Sequence, residues 1–389
     1  MRKSQVLVIV AFIVLTAAAS FAYEMTPRHM GLGGSSLAIY NFPGMEPVFE
    51  NLATMCTAQD YSITLNVNHV YNMKLGSSSE DGFNHTYRRR DHDMQMGLRV
   101  FVPLVNREEE MERRLGLLFE PRYGYGYIYE LDRTNDDVNG FRQPKRERIY
   151  KPLSYGGRFG IAYGIADEFA FGLGLSTFGA RDRVMLERTV FEDADDYNKT
   201  NDEYWYMRPQ LWVFEAGILI RPTEYLQIGL NYVNGDERET DPEVDIEREL
   251  NGEEDDVTER ITIYHWRPRR IGLGVAWAPD LVEHFQLLWD LEYVQKVEFD
   301  EYETYNSIDL SFGVEKRWEF FTLRGGVDSE LGMGSDARRT FSPNAAAGFT
   351  IFNHMIADLG FSYGYGWWND DDNTGENLLR YGLSLGGTF

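Results

Sequence analysis

From Leu378 to Phe389 the chain alternates with period two. Leu379, Tyr381, Leu383, Leu385 and Phe389 fall on one side, and Arg380, Gly382, Ser384, Gly386 and Thr388 on the other. A β-strand turns successive side chains to opposite faces, so this segment has one oily face and one small or polar face. It is long enough to supply the roughly 9–11 residues that a tilted strand needs to cross the hydrocarbon core of a bilayer. A soluble sandwich can also end in such a strand. What separates the two readings is how often the pattern recurs and how its members are joined.

It recurs through most of the chain. Tyr61, Ile63, Leu65, Val67, His69, Tyr71 and Met73 alternate with Ser62, Thr64, Asn66 and Asn68. Further strands are expected around Met94–Val102, Leu117–Tyr129, Leu153–Gly164, Phe169–Thr177, Tyr204–Ile220, Leu226–Tyr232, Ile261–Trp277 and Phe285–Gln295. Ile308–Lys316, Phe321–Val327, Ala345–Ile351, Met355–Tyr365 and the terminal segment complete a set of 14, an even number, as bacterial barrels require. Short turns follow the fourth, sixth, eighth, tenth and twelfth strands, and long polar loops follow the first, third, fifth, seventh, eleventh and thirteenth. That alternation is the rule for bacterial barrels, with short periplasmic turns and longer outer loops. The charged connection Pro103–Arg114 is the exception. Closure of the last strand onto the first near Tyr61 removes the exposed sheet edges. The expected fold is therefore all-β, a 14-stranded antiparallel transmembrane barrel.

The N-terminal end is consistent with export. Met1–Ala22 reads as a secretory signal: Arg2 and Lys3 precede an apolar run from Val6 to Ala19, and Ser20-Phe-Ala22 forms a small-x-small site. No second long apolar run follows, so any membrane crossing falls to strands. Cys56 is the only cysteine, which leaves no disulfide within the chain. Aromatics make up 14% of residues, which suits interfacial girdles, and a mean hydropathy of −0.42 suits a barrel with a wet lumen and polar loops. A formal charge of −24 would repel nucleic-acid phosphates.

Several phrases together resemble the outer-membrane channels for long-chain fatty acids and aromatic hydrocarbons of the FadL/TodX type. They are Tyr155-Gly-Gly-Arg-Phe-Gly-Ile-Ala-Tyr-Gly-Ile-Ala-Asp-Glu-Phe-Ala-Phe-Gly-Leu-Gly-Leu175, Phe214-Glu-Ala-Gly-Ile-Leu-Ile-Arg-Pro-Thr-Glu-Tyr-Leu-Gln-Ile-Gly-Leu-Asn-Tyr232 and Ile271-Gly-Leu-Gly-Val-Ala-Trp-Ala-Pro279 with Leu287-Leu-Trp-Asp-Leu-Glu-Tyr293. Gly31-Leu-Gly-Gly34 and Asn51-Leu-Ala53 fall where that family has a Gly-rich start and an Asn-Pro-Ala phrase, with Leu52 in place of the proline. The resemblance implies a 14-stranded barrel over 60–389 and an N-terminal hatch over 23–59. It implies transport of hydrophobic small molecules by binding and diffusion past the hatch, with integral outer-membrane localisation. Membrane lipid, lipopolysaccharide and the barrel-assembly machinery are the further partners it implies.

Under that resemblance the apolar hatch residues Phe42, Met45, Phe49, Leu52 and Met55 line a ligand site, and a lateral exit arises from a kink in the third strand. Pro121, Gly124 and Gly126 stand where such a kink falls, because proline cannot donate a ladder hydrogen bond and glycine permits a bulge. Equally, Pro121 is a strand start after a ragged turn. Parity alone turns Arg99, Arg122, Arg158, Arg324 and Arg380 inward, together with Glu120, Glu130, Asp290, Glu292, Asp309 and Asp328. The first four arginines are candidate carboxylate anchors, since a guanidinium binds a carboxylate with two parallel hydrogen bonds. Mixed buried charges also serve simply to brace a barrel.

Asp236–Glu259 carries thirteen carboxylates against two arginines, and Asp193–Glu203 adds more; both read as solvated outer loops. Asp370, Asp371 and Asp372 are hard oxygen ligands of the kind calcium takes, without EF-hand spacing; no other cofactor is implied. The seven histidines are scattered, and no HExxH, CxxC or GxSxG occurs, so the chain does not read as an enzyme. Two other functions fit the same architecture. One is a partner-binding role like that of the type IX secretion shuttle barrel; the other is a general porin with an open lumen.

Overall fold

The structure, a computed structural model, describes residues 27–32, 34–41, 48–58, 61–80, 83–106, 113–134, 145–165, 168–193, 196–279, 282–295, 306–333, 339–351, 355–367 and 375–388. Among them no helix is long and apolar enough to cross a membrane. Seven strands come first: β1 (Ser62–Glu80), β2 (Phe83–Asn106), β3 (Arg113–Thr134), β4 (Lys145–Ile165), β5 (Phe169–Asp193), β6 (Asp196–Thr223) and β7 (Leu226–Val233). Four shorter ones follow: β8 (Asp236–Thr240), β9 (Glu243–Leu250), β10 (Glu253–Arg260) and β11 (Ile263–Arg267). The last seven are β12 (Arg269–Trp277), β13 (Phe285–Gln295), β14 (Ser307–Arg317), β15 (Phe321–Gly332), β16 (Arg339–Ile351), β17 (Met355–Trp367) and β18 (Gly375–Thr388).

Strands β1–β7 and β12–β18 pair each with the next, all antiparallel, and β7 pairs with β12. The terminal strand closes the ring, with Leu65 opposite Leu385 and Tyr71 opposite Leu379. The barrel therefore has the 14 strands expected from alternation. Side chains sort by parity as a barrel demands. Along β17 exposure alternates at every residue, with Leu359, Phe361, Tyr363 and Tyr365 outside and Asp358 and Ser362 inside. Outward Phe159, Ile161, Phe171, Leu173, Phe214, Ile218, Leu273 and Leu383 continue an apolar belt around the wall. Such a belt is stable in lipid and costly in water.

Two expectations change. The predicted strand Ile261–Trp277 is two strands, β11 and β12, parted at Pro268, which has no amide hydrogen for a ladder. The acidic stretches are largely ordered: β5 and β6 run through Asp193 and from Asp196, and β8–β11 form ribbons. β9 pairs with both β10 and the end of β6, and β8 pairs with β11. Strand β3 keeps one register through Pro121. Its pairing lapses with β2 opposite Glu120 and Pro121 and with β4 at Gly126 and Tyr127, while the register on either side is the same. The register shift in this part of the wall lies instead between β5 and β6 around Gly179. Phe42, Met45, Asp370, Asp371, Asp372 and Phe389 lie outside the described residues.

Candidate functional site: the plugged lumen

The stretches 27–32, 34–41 and 48–58 sit inside the barrel, where a short helix α1 (Pro27–Gly31) and a 3-10 turn (Leu52–Thr57) pack against the inner wall. Leu32, Ile39, Val48, Phe49, Leu52 and Met55 share one buried cluster with wall residues Phe101, Leu118, Ala162, Leu219 and Leu288. Small wall residues make room for them. A Cβ on Gly229 would stand 1.9 Å from the Leu37 carbonyl oxygen, and one on Gly217 would stand 2.0 Å from Asn51 Oδ1. No side chain fits at either position with the segment seated.

Polar contacts fix the seat. Fully buried Arg28 donates from Nε and Nη2 to the two carboxylate oxygens of Glu315 on β14, each at 2.9 Å, and also to Tyr40 O and Asn41 Oδ1. Glu315 accepts in turn from Arg324 at 2.6 Å and from Gln286 Nε2 at 2.6 Å, and Arg324 reaches Asp358 on β17. On the neighbouring strand β13, Asp290 Oδ2 accepts the backbone amides of Ser36 and Leu37 at 2.6 and 2.9 Å. Asn51 caps the 3-10 turn through Oδ1, and its Nδ2 donates to Leu37, Ile218 and Leu230 carbonyls. Parity found Asp290 and Arg324. It could not find Arg28, Asn51 or Glu315 as partners, because those contacts join positions up to 287 residues apart.

The predicted site residues fall mostly in this seat. Phe49 stacks 4.7 Å from Phe101 under the Arg99 guanidinium, Leu52 fills the space over Gly160 and Gly174, and Met55 lies over Gly116. Arg99 and Arg122 share Glu120 at 3.0 and 2.8 Å. Arg158 holds Glu215 and the Glu50 carbonyl. Of these six and Arg324, only Arg122 lines either of the cavities described next.

Two adjoining cavities lie above the seat. The larger, about 720 Å³, has His29, Gly34 and Glu50 of the N-terminal segment on its floor. Its walls carry Asp93, Arg208, Arg267, Arg270, Glu292, Asp309, Asp328 and Arg380. Burial raises the Glu50 carboxyl above its ordinary range, against the pull of Arg158. The smaller, about 380 Å³, lies against β2–β6 between Ile128, Pro152, Tyr155 and Phe178 on its apolar side and Arg122, Arg208, His265 and Arg267 on its polar side. Gly126 and Gly179 also border it, so the lapse in the β3–β4 pairing and the β5–β6 register shift meet at this cavity. Arg267 stacks over the Phe178 ring at 4.2 Å, and Arg208 is paired with Asp182 at 2.6 Å. His265 donates from Nδ1 to Pro209 O at 2.7 Å; its own burial pushes its pKa down to about 4, so the ring is neutral. Asp91, His92, Asp93 and Gln95 line this cavity as well, so it sets apolar side chains beside both cations and carboxylates.

No protein-family model and no curated protein matches the sequence. Solved structures do. A Pseudomonas aeruginosa FadL homologue superposes with a TM-score of 0.58 at 13% identity, covering 96% of this chain and 100% of that one. The toluene transporter TodX of Pseudomonas putida gives 0.58 at 12% identity, with 96% and 100% covered. The toluene transporter TbuX of Ralstonia pickettii gives 0.54 at 11% identity, with 94% and 98% covered. The fold is the FadL fold. Identity is low over nearly the full length of both chains, so the likeness is one of fold.

Proposed function

We propose that the protein is an outer-membrane channel for uptake of hydrophobic compounds, long-chain fatty acids or similar lipids and hydrocarbons. The observation that carries this is the pair of adjoining cavities over a buried N-terminal segment, inside a closed barrel with an apolar belt. A ligand enters from the long-loop end, lays its apolar body against Ile128, Pro152 and Phe178, and sets an anionic head near Arg122, Arg208 and Arg267. Release requires the segment to leave its seat or the wall to part where the β3–β4 pairing lapses. Neither step involves covalent chemistry.

Labelled long-chain fatty acid uptake tests this in a host lacking its own channel, with cells carrying the barrel, an empty vector or a version without 23–59. Uptake above vector is expected, and it should change on removal of the segment. Uptake equal to vector, with the barrel folded and surface-exposed, overturns the reading. A second reading, binding of an exported protein, draws support from the charged lining of the larger cavity and the ordered acidic ribbons. Co-purification of a secreted protein that depends on β8–β11 would favour it.

A further inference from the structure

The strands at the long-loop end carry cations on their outer, lipid-facing side. On β4, β5 and β6 the residues Lys151, Arg183 and Trp205 stand side by side in register, with Arg181 one outward position nearer the short turns. Arg181 and Arg183 both pack over Trp205, with guanidinium carbons 4.7 and 5.0 Å from the ring centroid. Arg183 is bound to Glu203. Among the described residues, Lys151 and Arg181 have no carboxylate partner. The acidic side chains nearest on this face are Glu203, with Glu247 opposite it on β9, and, farther toward the loops, Glu147, Glu187 and Glu249, which line one acidic cavity. In a chain of net charge −24, two cations left on the lipid side of a barrel need a reason.

Their height supplies one. Arg181 stands twelve residues along β5 from Phe169 at the short turn. At about 3.4 Å per residue and a tilt of about 40°, that is about 30 Å along the membrane normal. Every outward residue of β5 in between that is large is apolar: Phe169, Phe171, Leu173 and Leu175. The cations therefore begin where the hydrocarbon ends, beside an aromatic ring of the kind that sits at headgroup depth. Cations there face the phosphates of the lipid leaflet.

We propose that Lys151, Arg181 and Trp205 form a binding site for the phosphate of a lipid headgroup in the leaflet at the long-loop end, on the outside of the barrel and separate from the lumen. The site rests on the membrane reading above but not on what the lumen carries. Arg181 supplies a forked pair of donors held in place by the Trp205 face, Lys151 a point charge one strand away, and Trp205 an apolar wall for the upper acyl chain. Arg183, already neutralised by Glu203, also packs on the ring.

The test is native mass spectrometry of the full chain released from detergent with diphosphorylated lipid A, or with the same lipid stripped of phosphate. Wild type and a Lys151→Gln/Arg181→Gln double variant are compared, each shown folded by a heat-sensitive shift in gel mobility. Wild type is expected to retain the phosphorylated lipid about thirtyfold better than the double variant, from two charges at the surface. The phosphate-free lipid should bind both alike, Arg181→Lys should keep most of the binding, and millimolar inorganic phosphate should displace none of it. Equal retention of both lipids by a folded barrel overturns the site and leaves the channel standing. Displacement by free phosphate overturns the headgroup assignment. A chain that does not enter lipid vesicles overturns both the site and the membrane reading.

Discussion

Arg28 and Glu315 show what a single contact does in this lumen. Both side chains are fully buried, and removing one partner of such a pair leaves a charge without compensation, which costs about 3–5 kcal/mol. Arg324 still neutralises part of Glu315, so Arg28→Ala should unseat the N-terminal segment while the barrel stays folded. Hydrogen exchange should rise at 34–41 and 48–58 and stay unchanged in β14; equal protection in both forms would exclude a latch at this position. Arg28→Lys should fall between, since an ammonium cannot span both carboxylate oxygens. His265 gives a pH test at the same scale. Its folded pKa, about 4, lies below the ordinary value of 6.5, so the folded form binds the proton less well than the released form does. The seat of β11 is therefore at full strength above pH 6.5 and weakens as pH falls from there toward 4, by on the order of 1–2 kcal/mol at pH 5. Asp182, Arg208 and Arg267 surround the ring, and the arginines keep their charge throughout this range. The protection of 263–267, corrected for the slower intrinsic exchange at lower pH, should fall between pH 7.5 and pH 5 in wild type and not in His265→Gln, which keeps a donor toward Pro209.

At the scale of elements, the wall was legible and the seat was not. Alternation gave all 14 barrel strands because a strand between lipid and lumen must change character at every step, as β17 and β18 do. Inward arginines could be listed for the same reason. Strand ends were harder: above the membrane the apolar partner disappears and β2, β5 and β6 continue with polar residues on both faces. The ribbons were masked by their carboxylates, although two signals were present. Val244 and Ile246 alternate and are buried, and Asn251-Gly252, at φ values of 51 and 87, makes the two-residue turn typical of a hairpin. The seat depends on glycines that oppose the N-terminal segment across the lumen, a relation no local pattern records. It can be tested through Cys56, which is buried over Gly164 with its thiol pushed up to about 12 by burial. In wild type Cys56 should resist a maleimide for hours at pH 7.5. Gly229→Val puts side-chain atoms where the Leu37 carbonyl lies, so it should expose Cys56 and speed labelling at least tenfold while the heat-sensitive gel shift persists. Labelling as slow as wild type would mean that the segment does not move as a unit.

For the whole molecule, the decisive property is whether the barrel is open. Fourteen strands enclose a lumen wider than side chains alone fill, and here the N-terminal segment occupies the short-turn end while charged cavities occupy the rest. A general porin with this sequence would conduct as it stands. A channel for hydrophobic cargo should not if the segment, held by a packed apolar cluster and by amides bound to Asp290, closes its floor. In planar bilayers the intact chain should therefore be nearly silent, and the version without 23–59 should open to a steady large conductance. The opened pore should prefer cations because the rim ribbons are acidic, while inside it Asp93, Glu292, Asp309 and Asp328 are nearly balanced by Arg208, Arg267, Arg270 and Arg380; a salt gradient reads this as the sign of the reversal potential. Arg28→Ala should flicker between the two states, since it loosens the seat without removing it. Should the intact chain conduct as strongly as the shortened one, the segment is no seal and the porin reading replaces the channel for hydrophobic compounds. Silence in both would mean that the charged side chains of the lumen close it unaided, and the cargo would then have to leave sideways, through the wall at Gly126 and Gly179.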